Sequence, residues 1–298
     1  MTQEQILRAA DPRYPAQLLQ ALTTAPPLHL VGDASLLQRP QVAIVGSRRP
    51  TAAGQRIARD IATQLAAAGF VITSGLAQGI DAAAHEAALA VGGATIAVCG
   101  AGLDTCYPAA HRSLFERIAR RGLLVSEFAP GVPPRAAHFP QRNRIISGLS
   151  RGVVVVEAAE GSGSLITAQR ALEQGREVFA VPGSPLNPLA AGCLKLIRQG
   201  AVLVRGAADI LPEIKWEIEC NSVPYQQLAF PAALPAGPPR LDKDYEMLLD
   251  ALGFEPGSID DLVARTGLAA GVVASMMLIL ELHGRVEARP GALYNRIE

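Results

Sequence analysis

VAIVGSRRPTAAGQRIARDIATQLAAAGFVITSGLAQGIDAAAHEAALAVGGATIAVCG, residues 42–100, alternates two hydrophobic periods. VAIVG (42–46), FVITSG (70–75) and TIAVCG (95–100) are short, mostly apolar runs rich in β-branched residues, as expected of strands covered on both faces. Between them, TAAGQRIARDIATQLAAAG and IDAAAHEAALAVGG space their apolar residues for helices, and Gly69 stops the first. Strands that alternate with helices of this length predict a parallel sheet with helices on both sides.

The rhythm continues outward. AAHRSLFERIARRG reads as a helix, LLVSEF as a strand, PQRNRIISGLS as a helix with Pro140 at its start, and VVVVEA (153–158) as a fully apolar strand. SLITAQRALEQG, EVFAVPG, LAAGCLKLIRQG and AVLV extend the pattern. The expected architecture is α/β: a Rossmann-like, doubly wound, mainly parallel sheet over residues 41–212. Residues 1–40 read as an N-terminal extension. Residues 213–240 break the pattern with Pro224, Pro231, Pro235, Pro238 and Pro239, which suits a Pro-rich linker. Residues 241–298 carry three helical patterns and a hairpin-like RVEARPGALYNRI, which predicts a small C-terminal winged-helix domain. Ser258 is placed to cap its second helix and Gly267 to make the turn.

Composition bounds the function. With 298 residues, 49% of them hydrophobic and 18% charged, the chain can bury a large core, which excludes disorder and fibres. No run approaches the roughly 18 apolar residues of a membrane span, and MTQEQILRAADPRYP has no secretory pattern. Cys99, Cys106, Cys193 and Cys220 form no C-x-x-C pair, so neither a disulfide frame nor a metal site is expected, and a reducing cytoplasm fits. The formal net charge of zero hides an asymmetry. Residues 111–151 hold eight arginines against two glutamates, whereas residues 209–298 hold 7 bases against 14 acids. Phosphate binding therefore belongs in the middle of the chain, unless those arginines only solvate a helix face.

Ligands of parallel sheets bind at the carboxyl ends of the strands. There the sequence places Gly46-Ser47-Arg48-Arg49-Pro50, then Ser74-Gly75 leading to Asp81, then Gly100-Ala101-Gly102-Leu103-Asp104, then Gly161-Ser162-Gly163-Ser164 before a helix. Glycines there let backbone N–H groups approach an anion at a helix N-terminus. The nucleotide-hydrolysing G-x-x-x-x-G-K-[ST] loop is missing, as are a complete G-x-G-x-x-G after the first strand, G-x-S-x-G and H-E-x-x-H. No cofactor and no enzymatic reaction is expected. His85 reads as a packed or surface histidine, and Asp81 and Asp104 as caps. Phe139-Pro140-Gln141-Arg142-Asn143-Arg144 offers a stacking face, cations and an amide together, which suits single-stranded nucleic acid. The same residues also fit a buried Phe139 under surface arginines, and spacing leaves the two open.

In order, IVGSRRP, SGLAQGID, GAGLDTCYP, FPQRNRIISGLS, EAAEGSGSLITA and FAVPGS strongly resemble the DNA-processing protein DprA (Smf) family, over roughly residues 12–212. The resemblance implies a cytoplasmic, non-enzymatic homodimer of natural transformation. It would bind and protect single-stranded DNA, act against single-strand-binding protein and load the recombinase RecA. Carried over by position, Gly46, Ser47, Arg48, Arg142, Asn143 and Arg144 would line the DNA pocket, with Phe139 as a stacking residue. Ser74, Gly75 and the loop Gly161, Ser162, Gly163 would supply backbone donors to phosphates. Two departures stand out: only about 40 residues precede the first strand, where many relatives have a helical SAM-like domain, and Leu194 stands where relatives usually have Asn. Two alternatives remain. One is a nucleotide phosphoribohydrolase of the lysine-decarboxylase-like (LOG) group, whose PGGxGT loop compares with EGSGSL. The other is a transcription factor acting through residues 241–298, against which the basic-residue-free AAGVVASMMLILELHG argues for a protein-contact module.

Overall fold

The structure, a computed structural model, describes residues 4–214, 243–282, 284–289 and 291–297. The chain divides into two compact units, residues 1–219 and 220–298.

The first unit is built in the order β1 (Gln5–Leu7), α1 (Ala16–Ala21), β2 (Leu28–Gly32), β3 (Gln41–Gly46), α2 (Ala52–Ala67), β4 (Val71–Ser74), α3 (Ile80–Ala90) and β5 (Thr95–Cys99). It continues through α4 (Arg112–Arg121), β6 (Leu123–Ser126), α5 (His138–Leu149), β7 (Gly152–Val156), α6 (Gly163–Glu173), β8 (Glu177–Ala180), α7 (Ala191–Arg198), β9 (Val202–Leu203) and α8 (Ala207–Ile210). Among the described residues nine strands form one sheet, ordered β1-β2-β6-β5-β4-β3-β7-β8-β9. From β6 to β9 every pairing is parallel, as the apolar strands predict.

Alternate residues feed opposite layers. Val42 and Ile44 of β3, with Val154 and Val156 of β7, pack beneath Ile61 and Leu65 of α2. Ala43, Val45, Val153 and Val155 face the other way, toward Ile145, Ile146 and Leu149 of α5 and Ala168 and Ala171 of α6. Both layers are needed because neither face of these strands carries a group that water would solvate. Pro140 lies inside the first turn of α5, where its missing N–H has no intrahelical partner to lose.

Residues 4–40 are not an appended extension. β2 pairs antiparallel with β6, β1 pairs with β2, and Leu7, Leu18, Leu28, Leu30, Leu36 and Leu37 are buried in the main core. Left uncovered, β6 would be an open sheet edge with unpaired backbone groups. The expected Rossmann-like unit therefore begins at the chain's first strand, not at residue 41.

The second unit contains α9 (Lys243–Leu252), β10 (Gly257–Ser258), α10 (Ile259–Thr266), α11 (Ala270–Leu282), β11 (Val286–Arg289) and β12 (Leu293–Arg296). Three helices and the β11–β12 hairpin make the expected winged helix, and β10 adds a third strand the sequence pattern did not disclose. Ser258 caps α10 as expected: its hydroxyl accepts from Asp261 N at 3.1 Å while the Asp261 carboxylate accepts from Ser258 N. Gly267 ends the helix at φ +70°, a left-handed conformation that costs glycine little. The linker expected at 213–240 lies, from residue 215, outside the described residues.

His85 is structural, as expected. It is fully buried in α3, and its Nδ1 donates to Thr95 Oγ1 at 2.7 Å, because the Thr95 hydroxyl itself donates to Ile72 O. Nε2 has no partner, so a second proton would be buried unsolvated, and burial pulls the pKa down to about 3. An imidazole depressed on folding stabilises the fold above the unfolded value of 6.5, and the contribution is lost as pH falls below it. Between pH 7 and pH 5 the wild-type protein should lose about 2 kcal/mol more urea-measured stability than His85→Gln. Equal losses in the two proteins would refute this assignment.

Candidate nucleic-acid interface

The sheet's strand order reverses between β3 and β7: successive strands run outward from β3 through β4 and β5 in one direction and from β7 through β8 in the other. Chain connections then leave in opposite directions and open a crevice at that point. A groove of about 800 Å³ occupies it. The β3–α2 loop supplies Gly46, Ser47, Arg48 and Arg49; the β7–α6 loop supplies Gly161, Ser162, Gly163 and Ser164; the start of α5 supplies Phe139, Arg142 and Asn143. Gly46 is required where β3 meets β7, since a Cβ there would lie 1.9 Å from Val156 O.

The N-terminus of α6 is the anion-receptive end. Ser162 caps it, accepting from Ser164 N at 3.3 Å, and open space surrounds the positions where Gly161 and Gly163 would carry side chains. Asn143 Nδ2 donates to Gly163 O at 3.3 Å and ties this loop to α5. Two other loop ends are already filled by the protein's own carboxylates. Glu157 accepts from the backbone N–H of Thr51 at 2.8 Å and from its hydroxyl, while the Thr51 hydroxyl accepts from Gly54 N at the start of α2. Asp81 accepts from Gly75 N at 3.0 Å and Ala77 N at 3.3 Å. Burial pushes the Asp81 carboxyl above its ordinary value, opposed by the nearby Arg142 cation and these amide bonds.

Several expected phosphate contacts are committed elsewhere. Ser74 is fully buried and donates to Ile44 O at 2.6 Å, and the Gly75 amide serves Asp81, so neither reaches the groove. Arg142 touches the groove's inner surface but is only 5% exposed. Its guanidinium donates to Gly75 O at 2.5 Å, to Val98 O and to Asn143 Oδ1 at 3.1 Å. Gly75 is needed here for space, because a Cβ would fall 2.2 Å from Arg142 Nη2. Arg144 does not line the groove. Helical spacing turns it from Arg142 toward Glu127, whose carboxylate it meets at 2.5 Å. Arg112 and Arg120 lie beside Glu116 on the exposed face of α4 and do not line the groove.

The free cations are others. Arg48, Arg49 and Arg135 are exposed, line the groove and make no ion pair among the described residues. Arg49 stood beside Arg48 in SRRP, but Arg135 lies in a proline-rich loop with no periodicity to mark it, and only the fold brings it to the groove. Tyr107 falls in the GAGLDTCYP motif with no role expected of it there; it lines the groove with its ring centroid 5.3 Å from that of Phe139. Asp104 is not the helix cap expected of it: both its carboxylate oxygens accept from Gly131 N, which ties two loops.

A family model described as DNA recombination-mediator protein A matches residues 5–215, and one described as the DprA winged helix domain matches residues 231–292. Protein Smf of Synechocystis sp. is 41% identical, the match covering 98% of this chain and 80% of that protein. The X-ray structure of DNA processing protein A from Streptococcus pneumoniae superposes with a TM-score of 0.69 at 47% identity, covering 71% of this chain and 75% of that one. DNA processing protein A from Helicobacter pylori, whose structure describes a unique single-stranded DNA binding mode, gives a TM-score of 0.64 at 31% identity over 72% of this chain and 96% of that one.

The geometry separates two kinds of arginine. Arg142→Ala should lower folding stability by about 3–5 kcal/mol, since it strands buried carbonyls and the Asp81 carboxylate. Arg48→Ala should stay within about 0.5 kcal/mol of wild type. Urea unfolding midpoints check both; similar losses would void the distinction.

Proposed function

We propose, from the premise that the chain belongs to the DprA (Smf) family, that its switch-point groove binds single-stranded DNA. The observation that carries this reading is the meeting of three exposed guanidinium groups, Arg48, Arg49 and Arg135, which make no ion pair among the described residues, with the open N-terminus of α6 in one concavity. Cations and oriented amides attract a sugar-phosphate chain without reading its sequence. The paired rings of Tyr107 and the half-buried Phe139 add an aromatic wall for unstacked bases, which a duplex does not present. The relative from Helicobacter pylori, with its single-stranded DNA binding mode, supports the choice of ligand.

Within that reading the protein acts without catalysis in the cytoplasm. The groove-facing carboxylate Asp81 is held by backbone amides beneath the surface and is poorly placed to exchange protons with a ligand. As a homodimer it protects incoming strands in natural transformation, displaces single-strand-binding protein and loads RecA. A LOG-type hydrolase is not favoured, because the matching family model describes a recombination mediator. For the winged-helix unit we favour contact with protein over duplex reading: α11 presents Val272, Leu278 and Ile279 to solvent and carries neither Lys nor Arg.

Anisotropy titrations with single- and double-stranded oligonucleotides at two ionic strengths test the proposal. The logarithm of single-strand affinity should fall against the logarithm of salt concentration with a slope of roughly −2 or steeper. Arg48→Ala should weaken binding across sequences and flatten the slope by about 0.7. A salt-independent affinity, or a preference for duplex, would overturn the reading.

A further inference from the structure

We propose that Tyr107 is the outer stacking residue of a nucleobase subsite and that Phe139 is its buttress. The inference rests on the single-strand reading above and assigns a contact within it. Tyr107 is 51% exposed on the groove wall. Its ring meets that of Phe139 with centroids 5.3 Å apart and planes inclined by 42°. One ring is therefore supported from within while much of its surface stays open to the groove.

Phe139 is fixed from several directions. It lies against Gly100, where a Cβ would come within 3.1 Å of two ring atoms, and the Arg142 guanidinium sits 5.8 Å from its centroid. The preceding residue, His138, is anchored by Nδ1 to Gly100 O at 3.1 Å and stacks on Phe128 with ring centroids 4.0 Å apart. Rings held this way lose little freedom when a base arrives, which favours stacking. Arg48 and Arg49 line the same groove, so one ligand meets cations for its phosphates and a π-face for its base. An unstacked nucleobase matches that pairing; in a duplex both faces of a base are already occupied.

Two oligonucleotides of equal length and charge provide the test: oligo-dT, and a strand of abasic tetrahydrofuran units. The wild-type protein should bind oligo-dT at least tenfold more tightly than the abasic strand. Tyr107→Leu should remove most of that ratio by weakening oligo-dT binding about tenfold, with abasic binding kept within twofold. Tyr107→Phe should restore the ratio, and Phe139→Leu, which keeps bulk behind Tyr107, should cost about threefold. Unchanged melting temperatures will show that the variants fold. The subsite is overturned if Tyr107→Leu weakens both ligands equally or neither, or if Phe139→Leu costs more than Tyr107→Leu. In those cases salt-sensitive binding of the abasic strand would leave the single-strand reading standing. Failure of the wild-type protein to bind either strand would instead overturn that reading, and the subsite with it.

Discussion

The buried guanidinium of Arg142 connects three segments that the chain keeps far apart. It reaches from α5 to the carbonyls of Gly75 and Val98, at the ends of β4 and β5, and to the side chain of the adjacent Asn143. Asn143 in turn holds Gly163, at the start of α6. Carbonyl oxygens at the ends of parallel strands have no strand partner beyond them, and in a buried position each needs a donor. One planar, permanently charged group with several N–H bonds satisfies two of them. Burial lowers the guanidinium's pKa, and the nearby Asp81 charge opposes that effect. This tie fixes the start of α5 against the rim of the sheet, and Asn143 extends it to the loop before α6.

A second layer of charge logic follows from where the carboxylates stand. Loop and helix ends at the rim of a parallel sheet point unpaired N–H groups outward and attract anions. Glu157 takes the start of α2 through Thr51, and Asp81 takes the amides ahead of α3. The glycine-flanked start of α6 is left open to an external anion. The arginines divide in the same way: Arg142 and Arg144 face internal acceptors, while Arg48, Arg49 and Arg135 face the groove. Internal neutralisation at two ends leaves the surplus positive charge of the groove beside the third.

Much of this was legible beforehand because the signals are local. Strand and helix periods are written residue by residue, so the parallel sheet, the Ser258 cap and the Gly267 turn could be read directly. The glycine loops at strand ends were legible for the same reason, and Gly46, Ser47, Arg48, Gly161, Ser162 and Gly163 do meet in one groove. Arg142 and Arg144 read alike in sequence, as two arginines separated by one residue. Two positions on a helix differ by about 200° in direction, which sends one under the groove and the other to Glu127. Ser74 and Gly75 also looked like donors to a ligand. Nothing local reveals that Ile44 O and the Asp81 carboxylate claim them first.

By itself the sequence determined the class of fold, the two-unit organisation and the loops that rim the ligand site. Those properties follow from hydrophobic period and from residues, chiefly glycine and proline, that restrict the backbone locally. Tertiary structure alone decided that residues 4–40 complete the sheet, and which arginines stay out of ion pairs among the described residues. It also placed Tyr107 beside Phe139, residues separated by a helix, a strand and a loop. Each of these depends on which partner reaches a polar group or an open edge first. That competition is settled by distances in the packed molecule, which neighbouring positions along the chain do not encode.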